Sequence, residues 1–172
     1  MKKTFFLGIM TTVFSFQPAI AKINESQLQD RNSIKTFLGE YDLVSNQDTS
    51  GSFCYRGVLI TEEKENIHLY RADMKDEGSV TSAKLNGSER ASTGSHGEAM
   101  TTTKYRDKVS LANGTLVFNT RGSVKFMGIP AGSESDTYTF SLSSKLGGLN
   151  ATRKVRENLK TSTAACVYQK IN

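Results

Sequence analysis

The sequence has few of the residues that usually carry catalysis or bind metals. Its 172 residues include two histidines, two cysteines and no tryptophan. Neither H-E-x-x-H nor C-x-x-C occurs, and such spacings bring metal-ligating side chains together around one ion. A G-x-S-x-G nucleophile turn and a glycine-rich phosphate-binding loop are also missing. These absences predict a protein that is not an enzyme and that uses no metal ion and no cofactor.

The chain also lacks an apolar run long enough to cross a bilayer, which takes about 20 residues. The uncharged stretch 4–16 is shorter. It follows Lys2 and Lys3 and precedes the sequence Ala-Ile-Ala at 19–21, which is the pattern of a cleaved secretory signal. We predict a signal peptide at residues 1–21, a periplasmic or secreted protein, and no membrane span.

An excess of positive charge is nearly absent once the signal is removed. The remaining 151 residues contain 20 basic and 17 acidic side chains. This length suits one domain with its own core. A nucleic-acid-binding protein usually concentrates its basic residues in a patch or stripe. A balance of +3 spread along the chain therefore predicts no nucleic-acid partner.

With two cysteines, the chain has one intramolecular pair, Cys54 with Cys166. Export favours a disulfide between them, because disulfides persist in oxidising compartments. A disulfide requires the two Cα atoms to lie within about 7 Å. The second strand and the last strand should then lie close together, as they do in a closed or nearly closed sheet. Two buried free thiols are the alternative.

Most of the mature chain alternates between apolar and polar residues in short segments separated by turns. This period of two is typical of strands, and eight to ten short strands at regular spacing indicate a barrel or sandwich. We predict an all-β fold, a single antiparallel up-and-down barrel at residues 37–172, preceded by an N-terminal arm or short helix at 22–36. The strand-like segments are 37–44, 53–60, 66–73, 123–129, 137–144 and 167–171, with hairpin dipeptides at Asn86-Gly87 and Asn113-Gly114.

One segment, residues 151–160, fits two structures. Ala151, Val155 and Leu159 follow the spacing of one helix face, whereas the β-branched residues around them favour a strand. We favour a strand, because the last strand needs a partner and Gly147-Gly148 already provides a turn.

The start of the first strand carries a family resemblance. Gly39-Glu40-Tyr41 resembles the G-x-W opening of lipocalins, with tyrosine in place of tryptophan. A cysteine near the last strand, bridged to an early part of the barrel, is also similar to lipocalins. The resemblance implies an eight-stranded up-and-down barrel with a ligand cavity. The chain departs from the family in having no tryptophan, and its 136–138 sequence echoes the family's T-D-Y element in a different order.

A barrel of about eight strands is either filled by side chains or holds one small ligand. Charged residues alternate with the apolar ones, so the apolar face should point inward. We predict an exported, non-enzymatic binding protein for a small hydrophobic ligand, with Arg71 placed to bind a ligand carboxylate. The alternative at each position is plain core packing. The predicted ligand-binding residues are Tyr41, Tyr55, Leu69, Arg71, Phe118 and Phe140.

A second hypothesis places function in the loops. Segments 73–80, 87–98 and 128–136 are predicted as long loops between strands. They would make the protein an interaction module or inhibitor with a protein partner. A large apolar cavity would favour a small ligand, and a packed interior would favour the loops.

Overall fold

The computed structural model describes residues 32–48, 54–95, 101–143 and 147–171. A single helical turn at residues 32–34 precedes the first strand, and a short 3-10 helix, Ala72–Glu77, follows the third. The strands are β1 (Gly39–Asp48), β2 (Gly57–Glu63), β3 (Asn66–Arg71), β4 (Thr81–Lys84), β5 (Arg90–Ser95), β6 (Thr101–Ala112), β7 (Thr115–Phe126), β8 (Ile129–Leu142), β9 (Leu149–Glu157) and β10 (Lys160–Lys170).

These ten strands form one antiparallel sheet in the order β4-β3-β2-β1-β10-β9-β8-β7-β6-β5. Each strand pairs with the next along the chain except β4 with β5, and the first strand pairs with the last. The sheet is therefore up-and-down and nearly closes into a barrel, which confirms the predicted fold class. Within the described ranges, no helix is long and apolar enough to cross a membrane.

The seam of the barrel lies along the edge of β6. Strand β5 pairs with one half of that edge, and the end of β4 lies against the other half. Asn86 acts there like a strand residue: its amide donates to the carbonyl of Val109 (2.9 Å), and its side chain bonds both the N–H (2.8 Å) and the C=O (3.3 Å) of Leu111. The predicted Asn86-Gly87 hairpin is thus wrong in its pairing, because the turn forms but its flanking strands do not pair with each other.

One end of the barrel is closed by the chain that precedes β1. Ile34 and Phe37 are 0% and 1% exposed, and the hydroxyl of Tyr41 donates to the carbonyl of Phe37 (3.0 Å). Beneath them, the inward side chains of the strands pack in the closed half. Phe118 and Phe140, for example, meet edge to face with ring centroids 5.9 Å apart. Burial of these apolar side chains supplies the main driving force for folding.

Several hairpins close through two residues with positive φ. Asn113 and Gly114 have φ of 52° and 70° between the paired residues Ala112 and Thr115. This is the backbone of a two-residue hairpin turn that matches the twist of the flanking strands. The hairpin predicted at Asn113-Gly114 is confirmed.

The segment 151–160 and two of the predicted loops can be compared directly with the strands. Residues 151–160 are strand on both sides of a turn at 158–159, as favoured from the sequence. The loops predicted at 87–98 and 128–136 are wrong, because β5 occupies Arg90–Ser95 and pairs with β6, and β8 begins at Ile129 and pairs with β7 as a long hairpin. The predicted signal peptide, most of the N-terminal arm, and residue 53 lie outside the described residues.

Candidate ligand-binding cavity at the open end of the barrel

A disulfide fixes the connection between β1 and β2. Cys54 and Cys166 are bonded, with their Cα atoms 5.9 Å apart, so the predicted pairing is confirmed. The neighbouring Tyr55 is held from both sides of its backbone. Its N–H donates to the hydroxyl of Tyr138 (3.2 Å), and its C=O accepts from the hydroxyl of Tyr168 (3.1 Å). The disulfide therefore anchors residue 55 inside the barrel.

An ion pair lies directly above these tyrosines. Arg153 of β9 donates from Nη2 to Oδ2 of Asp136 on β8 (2.7 Å) and from Nε to both carboxylate oxygens (3.2 Å each). The guanidinium carbon lies 4.3 Å from the centroid of the Tyr55 ring, within the range of a cation–π contact. The two side chains are only 15% and 21% exposed. Arg153 and Asp136, together with the rings of Tyr55, Tyr138 and Tyr168 beneath them, separate the apolar core from the open end. We call these five residues the floor.

The tyrosine hydroxyls and the guanidinium of the floor stay protonated over a wide pH range. Burial raises the pKa of Tyr55 and of Tyr138 well above the ordinary value, and it raises the pKa of Tyr168 to about 12. Burial alone would lower the pKa of Arg153, but hydrogen bonds to Asp136 and the charge of its carboxylate raise it overall. The tyrosines are thus neutral hydrogen-bond donors, and the guanidinium is permanently charged.

Above the floor lies a cavity of about 550 Å³ that opens to solvent. Its lining includes four carboxylates and one guanidinium, and that guanidinium is already bonded to one of the four. The cavity therefore carries an excess of negative charge, although the whole chain is basic. No group of three or more His, Cys, Asp or Glu side chains in the described ranges could hold a metal ion. The charged lining residues are Asp107, Glu134, Asp136, Arg153 and Glu157.

Asp107 joins the cavity to the seam. Its carboxylate accepts from the hydroxyl of Thr120 on β7 (2.9 Å) and from the amide of Ser82 on β4 (3.1 Å). Burial raises the pKa of Asp107, although these hydrogen bonds act to lower it. This carboxylate is therefore a partly desolvated charge that the fold holds in place.

Two further carboxylates face each other across the sheet. Glu134 of β8 and Glu157 of β9 are directly opposite in register, a placement that costs stability for like charges. Gly122 of β7 lies opposite Glu134 on its other side, and a Cβ there would come within 2.7 Å of the glutamate side chain. The sheet thus leaves room for the Glu134 side chain although its repulsion with Glu157 lowers the stability of the fold. Residues that lower stability in this way are typical of functional sites.

The predicted ligand-binding residues divide between the core and the floor. Four of them are 1% exposed or less and pack in the closed half, namely Tyr41, Leu69, Phe118 and Phe140. Tyr55 lies in the floor, and the guanidinium of Arg71 is 5.1 Å from its ring centroid while binding Asp73 (3.1 Å). The structure brings Tyr55 and Arg71 together and leaves the other four away from the cavity. Ligand binding by these six residues stays a prediction.

The charged residues of the cavity were not predicted from the sequence, although strand parity carried a signal for them. Asp136 has the same parity as the inward Tyr138 and Phe140, and Arg153 has the same parity as the inward Ala151. Strand parity alone would have placed both charges inside the barrel.

Comparisons with protein-family models, with curated proteins and with solved structures found no match.

Proposed function

We propose that this protein is an exported, non-enzymatic binding protein whose open end holds a small cation bearing amino or guanidinium groups. The observation that carries the proposal is the cavity of about 550 Å³ whose carboxylates outnumber its guanidinium by four to one. That volume lies within the range of small-molecule sites. Ammonium and guanidinium groups form charge-assisted hydrogen bonds with carboxylates, which are among the strongest polar contacts in proteins.

The polar lining favours a cation over the hydrophobic ligand predicted from the sequence. The apolar half of the described interior is filled, with its aromatic rings in mutual contact. A hydrophobic molecule in the open half would desolvate carboxylates without pairing them, which is costly. A hydrophobic ligand nevertheless stays a prediction that the experiments below distinguish from a cation.

Export and a lipocalin-like relationship belong to the same proposal. The signal pattern at residues 1–21 supports export, and a disulfide is consistent with an oxidising periplasmic or extracellular compartment. An up-and-down barrel in which the first strand pairs with the last is compatible with a lipocalin-like fold. Gly39 and Tyr41 stand at the start of β1 beside the closed end, which supports the resemblance of their motif.

Calorimetric titration with three probes of equal chain length tests the cation. Diaminobutane is the cationic probe, butanediol its neutral counterpart and succinate its anionic counterpart. We expect measurable binding of the diamine and none of succinate. Equal binding of the diol and the diamine, or no diamine binding, would overturn the proposal.

A charge-removing variant ties binding to the cavity. Glu134→Gln should weaken diaminobutane binding by roughly tenfold, because one charge-assisted contact is lost. It should also raise the free energy of unfolding by about 0.2–1 kcal/mol, because a neutral amide at position 134 does not repel Glu157. Glu62→Gln is the matched control: it makes the same charge change at an exposed position near the closed end and should alter neither quantity.

Native mass spectrometry of protein purified from its own source gives an independent result. A co-purified small cation supports the proposal, whereas a co-purified hydrophobic mass supports the ligand predicted from the sequence and contradicts ours. A co-purified protein with no small molecule favours the second hypothesis, in which loops recognise a protein partner.

A further inference from the structure

The outward face of strands β6 to β9 is uniformly basic. Side chains alternate between the two faces of a strand, and in these four strands every charged side chain on the outward face is basic, whereas the inward face carries all the acidic side chains and one basic side chain, Arg153. The acidic residues of the strands, Asp107, Glu134, Asp136 and Glu157, all face the cavity. The outward basic residues are Lys104, Arg106, Lys108, Arg121, Lys125, Lys154 and Arg156, and all seven are exposed. We call this set the basic face.

The charges of the basic face are almost uncompensated. Among the described residues, only Arg106 has an acidic partner at salt-bridge distance, Glu89 at 3.8 Å. Arg121 and Arg156 bond neutral oxygens instead, the side-chain oxygen of Asn119 (3.1 Å) and the carbonyl of Asn158 (3.2 Å). Arg106 and Arg121 also stand directly opposite each other in the sheet, an unfavourable pairing for like charges. This face is therefore arranged for an external anion.

A strip of hydroxyl groups separates two of the basic strands. The register places Ser135 of β8 between Arg121 of β7 and Arg156 of β9. With strands about 4.8 Å apart, the two arginine Cα atoms are about 10 Å apart on either side of this serine. Arginine binds phosphate through two parallel hydrogen bonds, and serine hydroxyls donate to phosphate as well. Arg121, Ser135 and Arg156 thus form a row of side chains that can donate hydrogen bonds to phosphate groups.

An apolar hairpin tip extends from the same sheet. The β7–β8 hairpin runs past β9, which ends opposite Glu134, whereas β6 pairs with β7 as far as Phe126, so that only the turn lies beyond β6. At the tip, Phe126, Met127 and Ile129 are 50%, 64% and 68% exposed, next to Lys125. Exposed apolar side chains flanked by cations are typical of proteins that lie at a membrane surface.

We propose that the basic face docks this protein onto an anionic phospholipid bilayer. Arg121, Arg156 and the lysines around them bind the lipid phosphates, and the β7–β8 tip inserts among the headgroups. A soluble polyanion would engage the cations but would leave the apolar tip in water, so the two features together favour a bilayer. This inference does not depend on the ligand of the cavity, which lies on the opposite face of the same strands.

Co-sedimentation with lipid vesicles tests the docking. The mature, disulfide-bonded protein should bind vesicles that contain phosphatidylglycerol and not vesicles of phosphatidylcholine alone, and added salt should weaken the binding. The double variant R121Q/R156Q should bind roughly 25-fold more weakly, at about fivefold for each charge removed. The control K35Q/K64Q removes the same charge near the closed end and should bind like the wild type.

Insertion of the tip has its own spectroscopic test. Because the chain has no tryptophan, Phe126→Trp introduces a single indole at the tip. Its fluorescence should shift to the blue with phosphatidylglycerol vesicles, and Phe126→Ser with Ile129→Ser should weaken binding by about tenfold. Equal binding to both vesicle types, an equal loss in the control variant, or vesicle binding without the blue shift would overturn the proposal. Binding to heparin or DNA but to neither vesicle would replace the bilayer with a soluble polyanion.

Discussion

Arg153 of β9 and Asp136 of β8 are diagonal neighbours in the sheet, because Arg153 stands opposite Tyr138, and their shortest contact, Nη2 to Oδ2, is 2.7 Å. The same guanidinium covers the ring of Tyr55, which the disulfide at Cys54 anchors. One ion pair thus links the floor of the cavity to the segment before β2. Its charges are mostly removed from water, so each depends on the other for compensation.

Removing one partner of this pair should therefore destabilise the protein. Arg153→Gln leaves the carboxylate of Asp136 partly buried without its cation, and we expect a loss of roughly 2–4 kcal/mol in the free energy of unfolding, measured by urea denaturation. The exposed Arg121→Gln should stay within about 0.5 kcal/mol of wild type. The double variant D136N/R153Q should lose less than the sum of the two single changes. A strictly additive double variant would mean that the two side chains do not stabilise each other.

The disulfide should contribute more to the free energy of unfolding than any single non-covalent contact. It spans 112 residues, and closing a loop of that length in the unfolded chain contributes about 4–5 kcal/mol in the chain-entropy model. C54A/C166A should lose stability on that scale in urea denaturation. Reductant should destabilise the wild type and leave the variant unchanged. A loss below about 1 kcal/mol would show that the unfolded chain gains little freedom when the link is cut.

The seam offers a graded test of barrel closure. Asn86→Gly keeps the positive φ of this residue but loses both side-chain bonds to Leu111, which should cost about 1–2 kcal/mol. Asn86→Asp keeps the acceptor for the Leu111 amide and should cost about half as much. The control Asn113→Gly changes a hairpin residue of similar φ and should cost a few tenths.

Hydrogen exchange gives the local readout for the same variants. The amide of Leu111 should exchange faster in Asn86→Gly than in Asn86→Asp, because only the glycine variant removes its acceptor. Equal exchange in the two variants would contradict a role of this side chain in closing the seam.

The fold could be predicted because strand alternation and cysteine pairing are readable from the chain. Tyr41, Phe118 and Phe140 were expected on inward faces, and all three are buried. Two cysteines allow one bridge, and that bridge constrained the early and late parts of the sheet to meet. The seam could not be predicted, because the Asn86-Gly87 pair signals a turn but carries no information on which strand its flanks contact.

The charged lining of the cavity was missed because every charged strand residue except Arg71 was expected to point outward. Parity places Asp136 on the same face as Tyr138. How far the strands extend beyond the apolar core, however, depends on pairing between residues that are distant in the sequence. Where the core ends, the inside of the barrel is open to water and can carry carboxylates. The basic face was missed for the related reason that a net charge of +3 does not tell how the two signs are divided between the faces.

The pH dependence of stability should reveal the desolvated carboxyl at the seam. Burial raises the pKa of Asp107 in the folded state above the ordinary value of about 4 that it has in the unfolded chain. The folded protein thus holds this proton more tightly. The resulting stabilisation is complete below the unfolded pKa and is lost as the pH rises through the folded pKa. Asp107→Asn removes this dependence, because the amide does not titrate.

Urea denaturation of both proteins over a series of pH values measures the effect. The free energy of unfolding of Asp107→Asn relative to wild type should be least favourable at the acidic end, should improve as the pH rises through that window, and should then stay constant. A difference that is flat across the acidic range would contradict the raised pKa. Because the same carboxylate lines the cavity, diaminobutane binding to the wild type should strengthen over the pH window in which the relative stability of the wild type falls. Desolvation of Asp107 thus costs stability while placing a charge where a cationic ligand would meet it.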